Sequence, residues 1–99
     1  MKLRMGFLGF EVAATGRSVC YHCGHKVAMN NLRWQFWYHE RRYHRWVHFR
    51  CARAMIDANP GEPWLVQCTT LLEQGVEGLT HDQTMDVHAL LEELRSLRP

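Results

Sequence analysis

No stretch of this 99-residue chain approaches the roughly 18 uninterrupted apolar residues that a membrane-spanning helix needs. Behind a basic start, the apolar run Met5 to Phe10 is cut by Glu11, too early for the core of a signal peptide, and it reads instead as a first strand. Internal repeats, low-complexity tracts and Pro/Ser-rich linkers are also missing, and 46% apolar with 22% charged residues is the balance of a globular chain. One domain spanning residues 1–99 is expected, with a modest core. The sequence offers no nucleophile–base pair and no glycine loop to cradle a phosphate, so no enzyme activity is expected. With no secretion signal to read, the expected compartment is intracellular, nuclear in a eukaryote, where thiols stay reduced. Cysteines there serve more readily as ligands than as disulfides.

Acidic residues are scarce in the first half. Residues 1–53 hold ten of the twelve Lys and Arg but only Glu11 and Glu40, whereas residues 54–99 hold eight acids against Arg95 and Arg98. An arginine-rich half suits a polyanionic partner, and the acidic half suits a solvated helix surface.

Residues 7–14 read as a short strand. In Leu32–Trp46, Trp34, Phe36 and Tyr38 alternate with Arg33, Gln35, Trp37 and His39, a period of two that predicts a β-hairpin turning at His39-Glu40-Arg41-Arg42. Good helix formers follow from Val47 to Ala58, and Asn59-Pro60-Gly61 stops them, opening a loop that runs through Trp64. Thr80-His81-Asp82-Gln83 is a capping box, and Val87, Leu90, Leu91, Leu94 and Leu97 then form one apolar helical face.

Four residues carry the chemistry. Cys20-x2-Cys23 is matched, at the far end of the hairpin, by His48-x2-Cys51. A two-residue gap lets both side chains of a turn point inward, and three thiolates with one imidazole satisfy a single tetrahedral Zn2+. Such a set is closed, leaving no position for an activated water, so the ion would be structural. A redox pair is disfavoured by the second pair and by the missing βαβ pattern; reduced structural cysteines or disulfides are the remaining alternatives. His22, His25 and His44 lie off the paired pattern and read as surface histidines, and Cys68, among apolar neighbours, reads as core.

Glu11-x-Ala13-x-Thr15-Gly16-Arg17-x-x-Cys20-x-x-Cys23, then Leu32-Arg33, then Trp46-x-His48-x-x-Cys51, resemble the zinc fingers of poly(ADP-ribose) polymerases and the related finger of a DNA ligase. Gly75–Val87 resembles the segment that opens that family's last helix, so the likeness runs over roughly residues 10–95. The resemblance implies a small α+β zinc-binding domain, with a short antiparallel sheet or hairpin, a Cys3His site and C-terminal helices. It also implies binding of duplex DNA at breaks, nicks or ends, independent of sequence, as in DNA repair. In that family the arginines at the positions of Arg17 and Arg33 contact the DNA backbone, and residues of the hairpin loop cover the exposed base pair. The gap from Cys23 to His48 is a few residues shorter than the family's, and His81 stands where the family has a tryptophan used for contacts with other domains.

On the hairpin, Tyr38, His39 and Tyr43 are the stacking candidates, with Arg41, Arg42 and Arg45 as phosphate contacts. Each has a plainer reading beside it. Arg17 and Arg33 would also serve as structural arginines, the arginine cluster as a solvated turn, and Trp34, Phe36, Trp37 and Trp46 as core, with Trp46 packed around the metal. Two other functions fit the same residues: a zinc-stabilised adaptor whose protein partner docks on the acidic last helix, and a binder of single-stranded nucleic acid through the aromatic hairpin.

Overall fold

The computed structural model describes residues 5–38, 42–58 and 63–97. Their order is β1 (Met5–Val12), β2 (Leu32–Tyr38), β3 (Tyr43–His48), α1 (Cys51–Ala58), α2 (Trp64–Gln74) and α3 (His81–Ser96). The strands form one antiparallel sheet in the order β1-β2-β3, and with three helices and a Cys3His group this is the small α+β arrangement expected. Among the described residues no helix is long and apolar enough to cross a membrane.

Side-chain alternation along β2 divides the sheet into two faces. Trp34 and Phe36 point into the core and are fully buried. Trp34 lies opposite Val47 of β3 and Phe10 of β1, and Phe36 lies opposite Phe7. Phe7 and Phe10 are three residues apart, a spacing that would put them on opposite faces of a regular strand. The pairing register shifts between Phe7 and Gly9, and this bulge at Leu8 returns both rings to the same side.

Helix α2 closes the core. Trp64 meets Phe7 and Phe36 edge-on, with ring centroids 5.7 and 5.9 Å apart. Gln67 Oε1 accepts from the Phe7 amide at 3.1 Å, satisfying a donor on the free edge of β1. That approach needs glycine at position 6, since a Cβ there would stand 2.7 Å from the same oxygen.

Helix α3 follows its sequence signals. Thr80 accepts from the Gln83 amide and Gln83 accepts in return from the Thr80 amide, both at 3.1 Å, so the capping box is complete. Gln83 also donates to the Asn30 carbonyl, tying this helix start to the loop before β2. Val87, Leu90 and Leu94 are buried and Leu91 partly so. Leu97 is corrected: it caps the C-terminal end and remains 41% exposed.

Two further expectations need correction. The helix placed from Val47 begins only at Cys51, because Val47 pairs with Trp34 and is wholly buried, so β3 continues to His48. The loop read through Trp64 is in fact the start of α2, whose buried positions Trp64, Cys68 and Leu72 repeat every four residues. Of the turn expected at residues 39–42, only Arg42 lies among the described residues.

Leu94 and Leu97 make a matched test of α3 packing. Leu94→Ala should cost about 2–5 kcal/mol of stability in urea unfolding, while Leu97→Ala should stay within about 0.5 kcal/mol of the parent.

Candidate metal centre

The first half of the centre is a tight turn. Val19 and Lys26 form an antiparallel bridge, Cys20 N donates to the His25 carbonyl at 2.8 Å, and Gly24 N donates to the Cys20 carbonyl at 2.9 Å. Gly24 has φ of 79°, a left-handed conformation that glycine adopts without strain. The turn is then laid against the outer edge of β3: Cys20 bridges Trp46 in parallel, and the Tyr21 amide donates to the Trp46 carbonyl at 2.8 Å.

The second half comes from the junction of β3 and α1. His48 is the last residue of the strand and Cys51 the first of the helix. The potential ligand atoms of Cys20, Cys23, His48 and Cys51 all lie within 4.8 Å of one another, and this group could hold a metal ion. His48 Nδ1 stands 3.3 Å from Cys23 Sγ and 3.8 Å from Cys51 Sγ. Its other ring nitrogen, Nε2, is 3.0 Å from the Lys26 carbonyl. A carbonyl accepts only, so Nε2 carries the proton and donates, leaving Nδ1 with a lone pair directed at the cluster.

The sulfurs are electrostatically unequal. Burial opposes ionisation of Cys20, but the amides of Cys23 and His48 donate to its sulfur at 3.5 and 3.4 Å, and with His22 they bring its pKa down to about 7. Burial and the neighbouring sulfurs of Cys20 and Cys23 push Cys51 up to about 12. A thiolate beside another thiolate is unfavourable until a cation sits between them. Cys68 stands apart in the core, where burial alone pushes its thiol above the ordinary range, so it is a neutral packing residue as expected. His22, His25 and His44 are exposed and outside the group.

Arg33 is held firmly beside the centre. It pairs with Glu11, its cross-strand neighbour, donating to Oε1 from Nε at 3.2 Å and Nη2 at 2.8 Å. Nη1 donates to Ser18 Oγ at 3.1 Å, and the guanidinium lies 3.6 Å over the Trp46 ring. At 8% exposure it has the surroundings of the structural arginine, not of a free phosphate contact. Its partners tie β1, the metal turn and β3 together through one side chain.

The remaining candidates fall into two groups. Tyr38, Arg42, Tyr43 and Arg45 lie together at the tip end of the hairpin, where the Tyr38 and Tyr43 rings stack at 5.2 Å. Arg17 is exposed in the loop before the metal turn, and its side chain has no partner among the described residues. It follows Gly16 and precedes Ser18, which meets Arg33 near the start of β2, so β2 separates it from the tip. Arg41 and His39 lie outside the described residues.

Tyr21 escaped the sequence reading. Set between two ligands whose side chains turn inward, it is forced outward; it is 46% exposed and stacks on Tyr38 at 4.9 Å. An aromatic residue just after the first ligand of a Cys-x2-Cys turn was the available signal.

Comparison of the chain with family models, with curated proteins and with solved structures finds no match.

Metal binding should be tightly linked to pH. At pH 7 Cys51 is still protonated and Cys20 about half so. Calorimetry in buffers of different ionisation enthalpy should therefore show release of at least about one proton per ion. As pH falls below 7 Cys20 also takes up its proton, so the number released should rise and the apparent affinity should fall.

Proposed function

We propose that the chain is a zinc-stabilised module that binds duplex DNA at breaks, nicks or ends, reading structure rather than sequence and performing no catalysis itself. Zinc is the ion that the donor set favours. Three soft thiolates and one imidazole suit tetrahedral Zn2+, whose metal–sulfur bonds of about 2.3 Å call for ligand atoms roughly 3.5–3.8 Å apart. The nitrogen–sulfur separations of 3.3 and 3.8 Å are close to that spacing.

The observation that supports DNA as ligand is the surface beside the centre. The exposed rings of Tyr21 and Tyr43 flank Tyr38, with the guanidinium of Arg45 5.7 and 5.9 Å from the Tyr38 and Tyr43 rings and Arg42 adjacent in sequence. Guanidinium groups match phosphate oxygens, and a flat ring replaces the neighbour that a terminal base pair has lost. Among the described acids, all but Glu11 begin at Asp57, on the helices and their connections, and Glu11 is engaged by Arg33.

Within this reading Arg17, Arg42 and Arg45 carry the phosphate contacts, joined by Arg41. Arg33 positions the metal turn, because lending it to a phosphate would give up its pair with Glu11. Arg17 keeps the role that the resemblance to the poly(ADP-ribose) polymerase-type finger implies, whereas Arg33 departs from it. A protein of this kind works where chromosomal DNA is, in the nucleus of a eukaryotic cell.

Chelation is one test. Metal binding worth about 10–16 kcal/mol rivals the whole stability of an ordinary domain. Removing the ion should therefore unfold at least the N-terminal half, as lost near-UV circular dichroism.

Titration against nicked, gapped, blunt and intact circular DNA is the second. Broken DNA should bind more tightly, with a log-log salt slope of about −2 to −3. Arg17→Ala should weaken every broken substrate alike, while Arg33→Ala should act mainly by lowering Tm. Equal affinity for nicked and intact DNA at physiological salt would refute break recognition.

A further inference from the structure

We propose that Tyr21, held out by the metal turn, is a base-stacking residue, and that the surface it completes takes the unpaired nucleotides of a single-stranded tail next to a duplex end. This rests on the DNA-end reading above and names the form of end that the surface suits.

The geometry is a row of three rings. Tyr38 stacks with Tyr21 on one side, at 4.9 Å and 29°, and with Tyr43 on the other, at 5.2 Å and 26°. The inner ring is half-buried, and the two outer rings are the exposed ones, at 46% and 42%. Tyr21 also packs on Phe36 at 5.4 Å, so the row is rooted in the core and its outer rings have little freedom left to lose on binding a ligand. Aromatic surface presented in this way, with arginine beside it, matches the stacking platforms that hold successive unpaired bases.

Chemistry narrows the occupant. Paired bases inside a duplex hide both faces in the helical stack, and a blunt end offers only the outer face of its last pair. Unpaired nucleotides splay freely and can set a base against the exposed Tyr21 ring while their phosphates reach the Arg45 guanidinium. Arg45 is suitably placed: Nη1 donates to the His44 carbonyl at 2.9 Å, which anchors the guanidinium near the rings without neutralising it. An acidic peptide would satisfy the arginines but leave the ring faces unused.

Tyr21 owes its position to the metal turn. Its neighbour Cys20 is a buried member of the cluster, Cys23 is another, and its own amide is bound to Trp46. Loss of the ion frees that turn, so stacking through Tyr21 requires the metal-loaded protein.

The test uses the zinc-loaded full chain with two duplexes, one blunt and one bearing a short tail that contains 2-aminopurine, whose fluorescence falls when it stacks. The tailed duplex should bind more tightly, with quenching that chelation abolishes. Tyr21→Ala should weaken tailed binding about five- to a hundred-fold and blunt binding by a clearly smaller factor, whereas Tyr21→Phe should behave as the parent. If the alanine variant does not retain zinc, the quench with the parent and Tyr21→Phe decides, and its absence overturns the proposal. Blunt and tailed duplexes bound alike, or an alanine variant that binds the tail as well as the parent, would overturn this inference while leaving DNA-end binding intact. Failure of the zinc-loaded parent to bind either duplex would overturn both.

Discussion

Three sulfur atoms and a ring nitrogen packed within 4.8 Å form a cluster that resists its own ionisation, and the fold accepts this cost at the seam between two distant pieces of chain. The amides around Cys20 favour one thiolate, but burial first, and then the neighbouring sulfurs of Cys20 and Cys23, work against another, and together they push Cys51 up to about 12. A cation between the sulfurs attracts each of them and outweighs their mutual repulsion. The cluster that repels itself when empty of charge compensation becomes, with an ion, the strongest tie between the Cys20–Cys23 turn and the β3–α1 junction. Among the described residues the same seam is also spanned by a short bridge to Trp46, the His48 amide donating to Cys20 Sγ, the His48–Lys26 contact and the arginine beside it.

That arginine is the second tie and belongs to the same region. Arg33 reaches Glu11 on β1, Ser18 before the turn and the face of Trp46 on β3, so three separately folded segments share one planar group. The sheet therefore has two differently used faces. One is packed with Phe7, Phe10, Trp34 and Phe36 against α2, where edge-on and tilted rings fill the space. The other carries the clamp. Aromatic packing does not stop at the core boundary; it continues through Phe36 to Tyr38, Tyr21 and Tyr43, where the rings become exposed. A continuous ring network from core to surface gives the protein a stiff apolar edge bordered by positive charge.

How much of this could be read in advance depended on the range of the interaction. The α3 start was legible because a capping box and its first turn are a matter of four consecutive residues, and Val87, Leu90 and Leu94 repeat with the helical period. The ligand set was legible because spacing by two within a turn is a local geometric demand. Helix α2 was not: Pro63 precedes it with no side-chain cap, and its short apolar run fits several structures until Phe7 and Phe36 supply a surface for Trp64. The end of β3 was likewise misread, because only its pairing with Trp34 keeps Val47 in the strand. Arg33 occupies an alternating position that looks solvent-facing in isolation; burial comes from Trp46 and Ser18, thirteen and fifteen residues away in opposite directions along the chain.

By itself, then, the order of residues determined the Cys3His set that could hold a metal ion, the alternating hairpin and the capped last helix, since each follows from periodicity or spacing over a few neighbours. Tertiary structure decided the burial and partners of Arg33, the existence of α2 and the exposure of Tyr21. These depend on which distant surface arrives beside each side chain, and only the closed sheet, its helices and the metal turn together specify that arrival.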